Sequence, residues 1–273
     1  MTPIKSPVPQ AAVAAPVMDA VQSASARTGI DFDYLVDVAR VESRFNPTAQ
    51  APTSSARGLF QFTRQTWLAT LDRHGASHGL GWAADAIGRD ASGRLSVVDP
   101  VLRERILALR DDPAASSAMA AALTADNRTE LESRFGRPME PVDLYLAHFL
   151  GSGGAKHFLA GLEANPDQPG AAMLPEAAAA NRPIFYAGDG SMRSLSEIRT
   201  LFAAKLAEGG KIPNVKAPPE TRWHVRSGSV TGAAAGGGRP PLQMMDIEPM
   251  PRKLSMDFAA SAYRRLAAMG GDA

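Results

Sequence analysis

The 273-residue chain is 45 % hydrophobic and 21 % charged, which fits a soluble globular protein with one large domain, or one domain and tails. Its formal net charge of +1 argues against a function dominated by attraction to nucleic acid or to an anionic membrane. Because the chain has no cysteine, disulfides, thiolate zinc sites and cysteine nucleophiles are excluded. No apolar stretch approaches the length of a transmembrane helix.

Composition divides the chain into three parts. Residues 1–16 are rich in Pro and Ala, and we expect them to be flexible. Residues 17–208 carry apolar side chains at helical spacing. Residues 209–273 are typical of a flexible linker and end in a candidate short helix, Leu254 to Met269. The N-terminal residues lack the strongly apolar run of a secretory signal peptide, so the sequence leaves the export route open.

The middle part is predicted to be all-α, because Ala and Leu are abundant and alternating β-branched runs are scarce. Asp99-Pro100 and Glu140-Pro141 are typical helix starts, and Gly151 is expected to close the helix before it. The apolar Ile184-Phe185-Tyr186 segment is expected to contribute a late aromatic residue to the domain. The candidate helices are 17–27, 33–45, 64–73, 100–110, 114–125, 128–135, 141–150, 154–163 and 194–207.

One glutamate lies where an apolar residue is expected. In a helix over Asp31 to Pro47, Leu35, Val38 and Ala39 form an apolar stripe, and Glu42 continues it. A buried carboxyl group is costly unless it is neutral or well partnered, and a neutral one can donate a proton in catalysis. The alternative, a glutamate at the helix edge that pairs with an arginine, stays open at this point.

Two motifs give this glutamate a context. Glu42 to Ala49 reads ESRFNPTA, and Ser54 to Phe62 reads SSARGLFQF. Together they resemble the soluble lytic transglycosylase (SLT) family of the lysozyme superfamily, whose first motif is Glu-Ser and whose second is Gly-Leu-Met-Gln. Phe60 stands in the Met position of the second motif. The resemblance implies a lysozyme-like domain over residues 17–208, with inserted helices between about 70 and 140.

The third family motif, Ala-Tyr-Asn-x-Gly, is altered here to Ala147-His148-Phe149-Leu150-Gly151. In the family, the tyrosine helps to position the catalytic glutamate. The resemblance therefore implies that either His148, by hydrogen bonding, or the hydroxyl of Tyr145, one turn earlier, takes over that role. A histidine that is only satisfied within a helix pair is the structural alternative.

The resemblance implies that Glu42 alone serves as general acid and base, without a cofactor or a metal. It would protonate the oxygen between N-acetylmuramic acid (MurNAc) and N-acetylglucosamine (GlcNAc), then accept the proton of the muramyl carbon-6 hydroxyl and leave a 1,6-anhydro end. Ser43 would orient the site, Gly58 would allow a close turn, and aromatic residues would contact glycan rings, although each could equally belong to the core. The candidate substrate-binding residues are Ser43, Gly58, Phe60, Gln61, Phe62, Tyr145 and His148.

Two alternatives to this function remain open. A muramidase-type hydrolase on the same fold would need a second carboxylate, for which Asp72, Asp85 and Asp90 are available. A non-catalytic peptidoglycan-binding scaffold is the other alternative, and the altered third motif supports it. His74 and His78 have the spacing of metal ligands but lack the accompanying glutamate of a metalloprotease, so no metal is expected.

A peptidoglycan substrate would place the protein in the periplasm or cell envelope. The C-terminal helix has basic ends, Arg252-Lys253 and Arg264-Arg265, and follows a linker. It is a candidate docking segment for an envelope-spanning secretion or flagellar machinery, although a solvated tail is the simpler interpretation. No nucleic-acid partner is expected.

Overall fold

Helices make up almost all of the regular structure in residues 10–52 and 54–207, which the computed structural model describes. One antiparallel hairpin, β1 (Gly88–Arg89) and β2 (Leu95–Ser96), pairs Gly88 with Ser96. The prediction of a mainly α-helical domain is confirmed. The helices are α1 (Gln10–Thr28), α2 (Phe32–Ser43), α3 (Arg64–His74), α4 (Gly81–Ala84), α5 (Pro100–Ala108), α6 (Pro113–Phe135), α7 (Pro141–Ala164), α8 (Gly170–Met173), α9 (Pro175–Ala180), α10 (Arg182–Phe185) and α11 (Leu195–Ala207).

Most long helices begin at residues that the sequence marks as starts. The side chains of Asp31, Thr63, Asp99 and Asp112 each accept a hydrogen bond from a backbone N–H in the first turn of the helix that follows. Proline occupies the first turn of α5, α6 and α7, where a missing N–H leaves no hydrogen bond unmade. These local signals explain why the predicted starts at Asp99-Pro100 and Glu140-Pro141 are correct.

Two predicted helix boundaries are wrong. Helix α1 begins at Gln10, so residues 10–16 of the segment predicted to be flexible are helical, with Pro16 inside the helix. The predicted helices 114–125 and 128–135 are one helix, α6, because neither Gly nor Pro interrupts it. The predicted end of helix 141–150 at Gly151 agrees with the structure, because Gly151 has the non-helical angles φ 75° and ψ 163° and interrupts α7 there.

The core lies between α1, α2, α6, α7 and α11. Helix α1 packs along α6, and α11 packs across α7 and α2. On the other side of the core, Trp67 of α3 is buried and its indole N–H donates to the carbonyl of Ile106, 2.8 Å away. Ile184 and Phe185 are also buried, as predicted for the late apolar segment.

The predicted linker 209–273 and its candidate helix, Leu254 to Met269, lie outside the described residues. Between α3 and α7 the chain forms α4, the hairpin, α5 and α6, so the stretch predicted to hold additional helices is folded. Within residues 10–52 and 54–207, each helix is too short or too polar to cross a membrane.

Candidate active site

Glu42 lies in the last turn of α2 and is only 1 % exposed. The apolar stripe of α2 turns this position towards the core, as the sequence predicts. Helix α2 ends one residue later because Arg44 and Phe45 both adopt left-handed backbone angles, with φ of 52° and 62°. The Arg44 N–H still donates to the carbonyl of Arg40, which closes the last turn. A buried carboxyl group is therefore held at a helix end, next to a loop.

Helix α7 brings two side chains to the same oxygen of Glu42. The hydroxyl of Tyr145 donates to Oε1 over 3.1 Å, and Nε2 of His148 lies 3.3 Å from that oxygen. The two rings stack on each other, with centroids 5.7 Å apart and planes 18° from parallel. Both residues proposed to replace the motif tyrosine therefore contact the glutamate.

Tyr145 is suited to act as a permanent hydrogen-bond donor. Burial raises the pKa of its hydroxyl well above the usual value, and the negative charge of Glu42 raises it further. An edge-to-face contact with Phe202 of α11, at 5.5 Å between centroids, fixes the ring. Tyr34 of α2 is also buried, and burial likewise raises its pKa, but its hydroxyl bonds Thr124.

A buried ionic cluster fixes the start of α7, one turn before Tyr145. Asp143 is fully buried and accepts hydrogen bonds from Arg137, at 3.0 Å, and from Arg199 of α11, at 2.9 Å. Its carboxylate also caps the backbone N–H of Glu140. Sequence analysis did not single out Asp143. The sequence feature that could have indicated it is an acidic side chain in the first helical turn after Glu140-Pro141.

The second motif forms a tight loop beside α2. Gly58 has φ of +84°, and a Cβ atom there would lie 1.8 Å from the carbonyl oxygen of Arg110. Gln61 also has a left-handed backbone, and its side-chain amide donates to the carbonyls of Ala49 and Gly58 at 3.0 and 2.7 Å. The predicted close turn at Gly58 is thus present, and the Gln61 amide holds this turn together.

Arg110, which the sequence analysis missed, stabilises this loop by hydrogen bonds to its backbone. Its buried guanidinium donates to the carbonyls of Ser55, at 2.7 Å, and Phe62, at 3.2 Å. Burial, together with the positive charge of Arg57, lowers its pKa to about 10, so it remains a cation at neutral pH. Asp111 pairs with Arg57 and ties the loop to the 3-10 turn Leu109–Asp111.

Three predicted substrate-binding side chains are engaged inside the protein. Phe60 and Phe62 are 1 % and 3 % exposed, and Phe62 packs edge-to-face on Trp67. The expectation that they present apolar surface to glycan rings is therefore wrong, because these rings fill the core. The hydroxyl of Ser43 donates to the carbonyl of Ala39 at 2.9 Å. Contacts from the loop backbone to sugar groups remain a prediction.

The other polar candidates have roles in the scaffold. His74 hydrogen bonds with Asp126 at 2.8 Å and joins α3 to α6. Asp90 accepts from the backbone N–H groups of Ser92 and Arg94 in the hairpin turn, where it is exposed. Within the described part of the chain, no three His, Asp or Glu side chains are grouped as metal ligands would be.

The mainly α-helical fold agrees with a lysozyme-like domain, and it holds a buried glutamate at the end of α2. Residues 19–78 match the family model described as Transglycosylase SLT domain, so this segment of the chain is similar to the soluble lytic transglycosylase family. The match includes Glu42 and the loop around Gly58, whereas Tyr145 and His148 lie beyond it. At the family level, the domain supports transglycosylase-type activity on peptidoglycan.

Proposed function

We propose that the protein is a lytic transglycosylase that cleaves the β-1,4 bond between MurNAc and GlcNAc in peptidoglycan and leaves 1,6-anhydro-MurNAc ends. The observation that carries this proposal is the burial of Glu42 at the end of α2, where Tyr145 donates to Oε1, within a segment that matches the SLT domain. A carboxyl group held in this position can donate a proton as a general acid and accept one as a general base.

In the first half-reaction, Glu42 donates its proton to the glycosidic oxygen while the bond from that oxygen to muramyl carbon-1 breaks. The substrate's own N-acetyl group stabilises the positive charge that develops at carbon-1. The Tyr145 hydroxyl, 3.1 Å from Oε1, stabilises the carboxylate that Glu42 becomes, because a hydrogen bond to a charged oxygen is stronger than one to a neutral oxygen.

In the second half-reaction, the muramyl carbon-6 hydroxyl attacks carbon-1 and its proton passes to the Glu42 carboxylate. The acid is thereby regenerated and no water is consumed. One carboxyl group serves both steps, whereas an ordinary glycosidase uses two. The loop that Gly58 and Gln61 shape is hydrogen bonded to Ala49, in the segment that follows α2, and we expect its backbone to contact sugar hydroxyl and N-acetyl groups.

The substrate places the site of action in the periplasm or cell envelope. The C-terminal segment remains a candidate for docking to an envelope-spanning secretion or flagellar machinery. Deleting residues 240–273 should then change the location of the protein or the partners that it retains. Unchanged location and unchanged partners would rule out this docking role.

The proposal is tested by digesting purified peptidoglycan with wild type and with Glu42→Gln, and measuring the soluble muropeptides. The chain offers a matched control, because Glu132 lies in a second Glu-Ser-Arg-Phe sequence on α6 and accepts a hydrogen bond from Met139. We expect release by wild type and by Glu132→Gln, and none by Glu42→Gln. Equal release by all three proteins would remove Glu42 from the mechanism.

A further inference from the structure

Helix α11 contacts both helices that form the candidate site, α2 with Glu42 and α7 with Tyr145. It begins at Leu195, far beyond residue 78, where the match to the SLT domain ends. The proposed mechanism depends on the hydrogen bond between Tyr145 and Glu42 and gives α11 no part in it. The contacts of α11 nevertheless lie within a few residues of this bond.

The side chain of Phe202, in the middle of α11, is fully buried. Its ring makes an edge-to-face contact with Tyr145, with centroids 5.5 Å apart and planes at 67°. The same ring packs on Phe149, the next aromatic residue but one on α7, at 4.9 Å between centroids. Aromatic rings at such distances prefer a small set of relative orientations. Phe202 therefore limits the orientations of the Tyr145 ring, whose hydroxyl donates to Glu42.

Arg40 of α2 joins the end of α11 to the helix that carries Glu42. Its guanidinium donates to the carbonyls of Lys205 and Leu206, at 3.1 and 3.0 Å. These carbonyls lie in the last turn of α11, where a helix leaves its carbonyls without a partner inside the helix. Arg40 lies two positions before Glu42. The end of α11 is therefore fixed directly to the last turn of α2.

Arg199 joins the first half of α11 to α7. It donates to the buried carboxylate of Asp143 at 2.9 Å. Asp143 lies two positions before Tyr145 in the same helix. Arg199 and Arg40 thus hold α11 against α7 and α2, and Phe202 lies between these two anchors.

We propose that α11 sets the contact between the Tyr145 hydroxyl and Glu42, and that Phe202 is a positioning residue for the reaction. This inference rests on the proposed function. Without the Phe202 ring, the Tyr145 ring has room to tilt, and its hydroxyl no longer stays 3.1 Å from Oε1 of Glu42. A misplacement of about 1 Å can lower a reaction rate by roughly 100-fold. Because Phe202 is fully buried, it acts on the carboxyl group through Tyr145.

The test compares kcat and KM for peptidoglycan digestion by wild type, Phe202→Ala and a matched control, Leu195→Ala. Leu195 is equally buried on α11, but it packs against Gly161, about four turns of helix after Tyr145 on α7. Both substitutions remove core side chains, so both lower stability. We expect Phe202→Ala to lower kcat about tenfold with KM nearly unchanged, and Leu195→Ala to change kcat less than about twofold.

The deciding comparison repeats both substitutions in Tyr145→Phe, which lacks the hydroxyl. If Phe202 acts through that hydroxyl, Phe202→Ala should change kcat of Tyr145→Phe by less than about twofold. An equal fold-loss of kcat in both backgrounds would show that Phe202 only supports the fold, and it would overturn the inference. If Phe202→Ala does not fold, Phe202→Leu takes its place in each comparison, because leucine fills more of the space.

Unfolding in urea provides a measurement that needs no product. Tyr145→Phe should lower the urea midpoint of wild type, because it removes a buried hydrogen bond. It should lower the midpoint of Phe202→Ala by less, because the hydroxyl is already displaced there. If wild type releases no product, the proposed function fails, and the urea midpoints alone decide whether α11 sets the contact. If wild type is active but the substitutions are additive in kcat and in the midpoint, the inference alone fails.

Discussion

The contact between Tyr145 and Glu42 joins side chains that are 103 positions apart in the chain. It connects α2, which ends at the candidate acid, to α7, which is held by the buried Asp143 cluster. Tyr145 is an effective donor because burial and the charge of Glu42 keep its hydroxyl protonated. The carboxylate that forms during the proposed reaction should therefore depend on this one hydroxyl.

Replacing Tyr145 with Phe removes the hydroxyl and keeps the ring that packs on Phe202. A hydrogen bond to a charged group contributes about 1.5–3 kcal/mol, so kcat should fall roughly 10- to 100-fold. Tyr34→Phe is the control, because it removes a buried hydroxyl whose partner is Thr124, and kcat should fall less. Equal losses in steady-state digestion assays would show that the Tyr145 contact has no special role.

Sequence reasoning located Glu42 because a carboxyl group broke an apolar stripe and a family motif followed. It placed His148 and Tyr145 near Glu42 only through the third motif, and could not decide between them. The burial of Phe60 and Phe62 was not readable, because an aromatic residue beside a motif fits a core and a sugar platform equally well. Packing between distant segments decides whether such a ring is buried or exposed, and that packing is not visible in the neighbouring sequence.

The loop of the second motif depends on the absence of a side chain at Gly58. In Gly58→Ala, the positive φ costs about 1–2 kcal/mol, and the methyl group meets the Arg110 carbonyl, which adds roughly 1–3 kcal/mol. Gly93 in the hairpin is a matched control, since it has φ of +77° and open space around its Cα. Thermal unfolding should show a much larger loss for Gly58→Ala than for Gly93→Ala. Similar losses would mean that the loop adjusts to the methyl group.

The contribution of the Asp143 cluster to stability can also be tested. Asp143→Asn leaves two partly buried arginines without their shared carboxylate, which should lower the free energy of unfolding by about 3 kcal/mol. Glu163→Gln changes the exposed partner of Arg137 and should cost less than about 1 kcal/mol. Urea unfolding of both variants measures these values. A loss below 1 kcal/mol for Asp143→Asn would show that the cluster is dispensable.

Helices were predicted well where local chemistry fixes their starts, as at Asp99 and Glu140. The errors arose where a helix continues past residues that usually disfavour it. Helix α1 continues back through Pro16, and α6 continues through Asp126 and Asn127 without the expected break. The support of the loop by Arg110 was also unreadable, because it joins segments about 50 positions apart through backbone carbonyls. Backbone acceptors carry no sequence signal.

The fold as a unit should lose stability in strong alkali. The pKa values of Tyr145 and Tyr34 are raised above the usual 10, so their contribution is fully present below pH 10 and is lost as pH rises further. Arg110 has the opposite effect on the free energy of unfolding. Because burial lowers its pKa, its contribution becomes more favourable as pH rises over the same range.

Comparison of variants separates these effects. Between pH 9 and pH 11, the free energy of unfolding of wild type should fall by about 1.4 kcal/mol more than that of Tyr145→Phe. The same difference is expected between wild type and Tyr34→Phe, because each variant lacks one of the two tyrosines. Urea unfolding at a series of pH values measures the difference. Parallel curves for wild type and both variants would show that these tyrosines do not control alkaline stability.

The identity of the new chain ends tests the proposed reaction most directly. Peptidoglycan is digested with wild type in water enriched in heavy oxygen, and the muropeptides are analysed by mass spectrometry. We predict 1,6-anhydro-MurNAc ends, each lighter by one water than a reducing end and free of heavy oxygen. Reducing ends that carry heavy oxygen would identify a hydrolase. Glycan binding without any product would identify a scaffold. Either result would contradict a transglycosylase with Glu42 as its single acid and base.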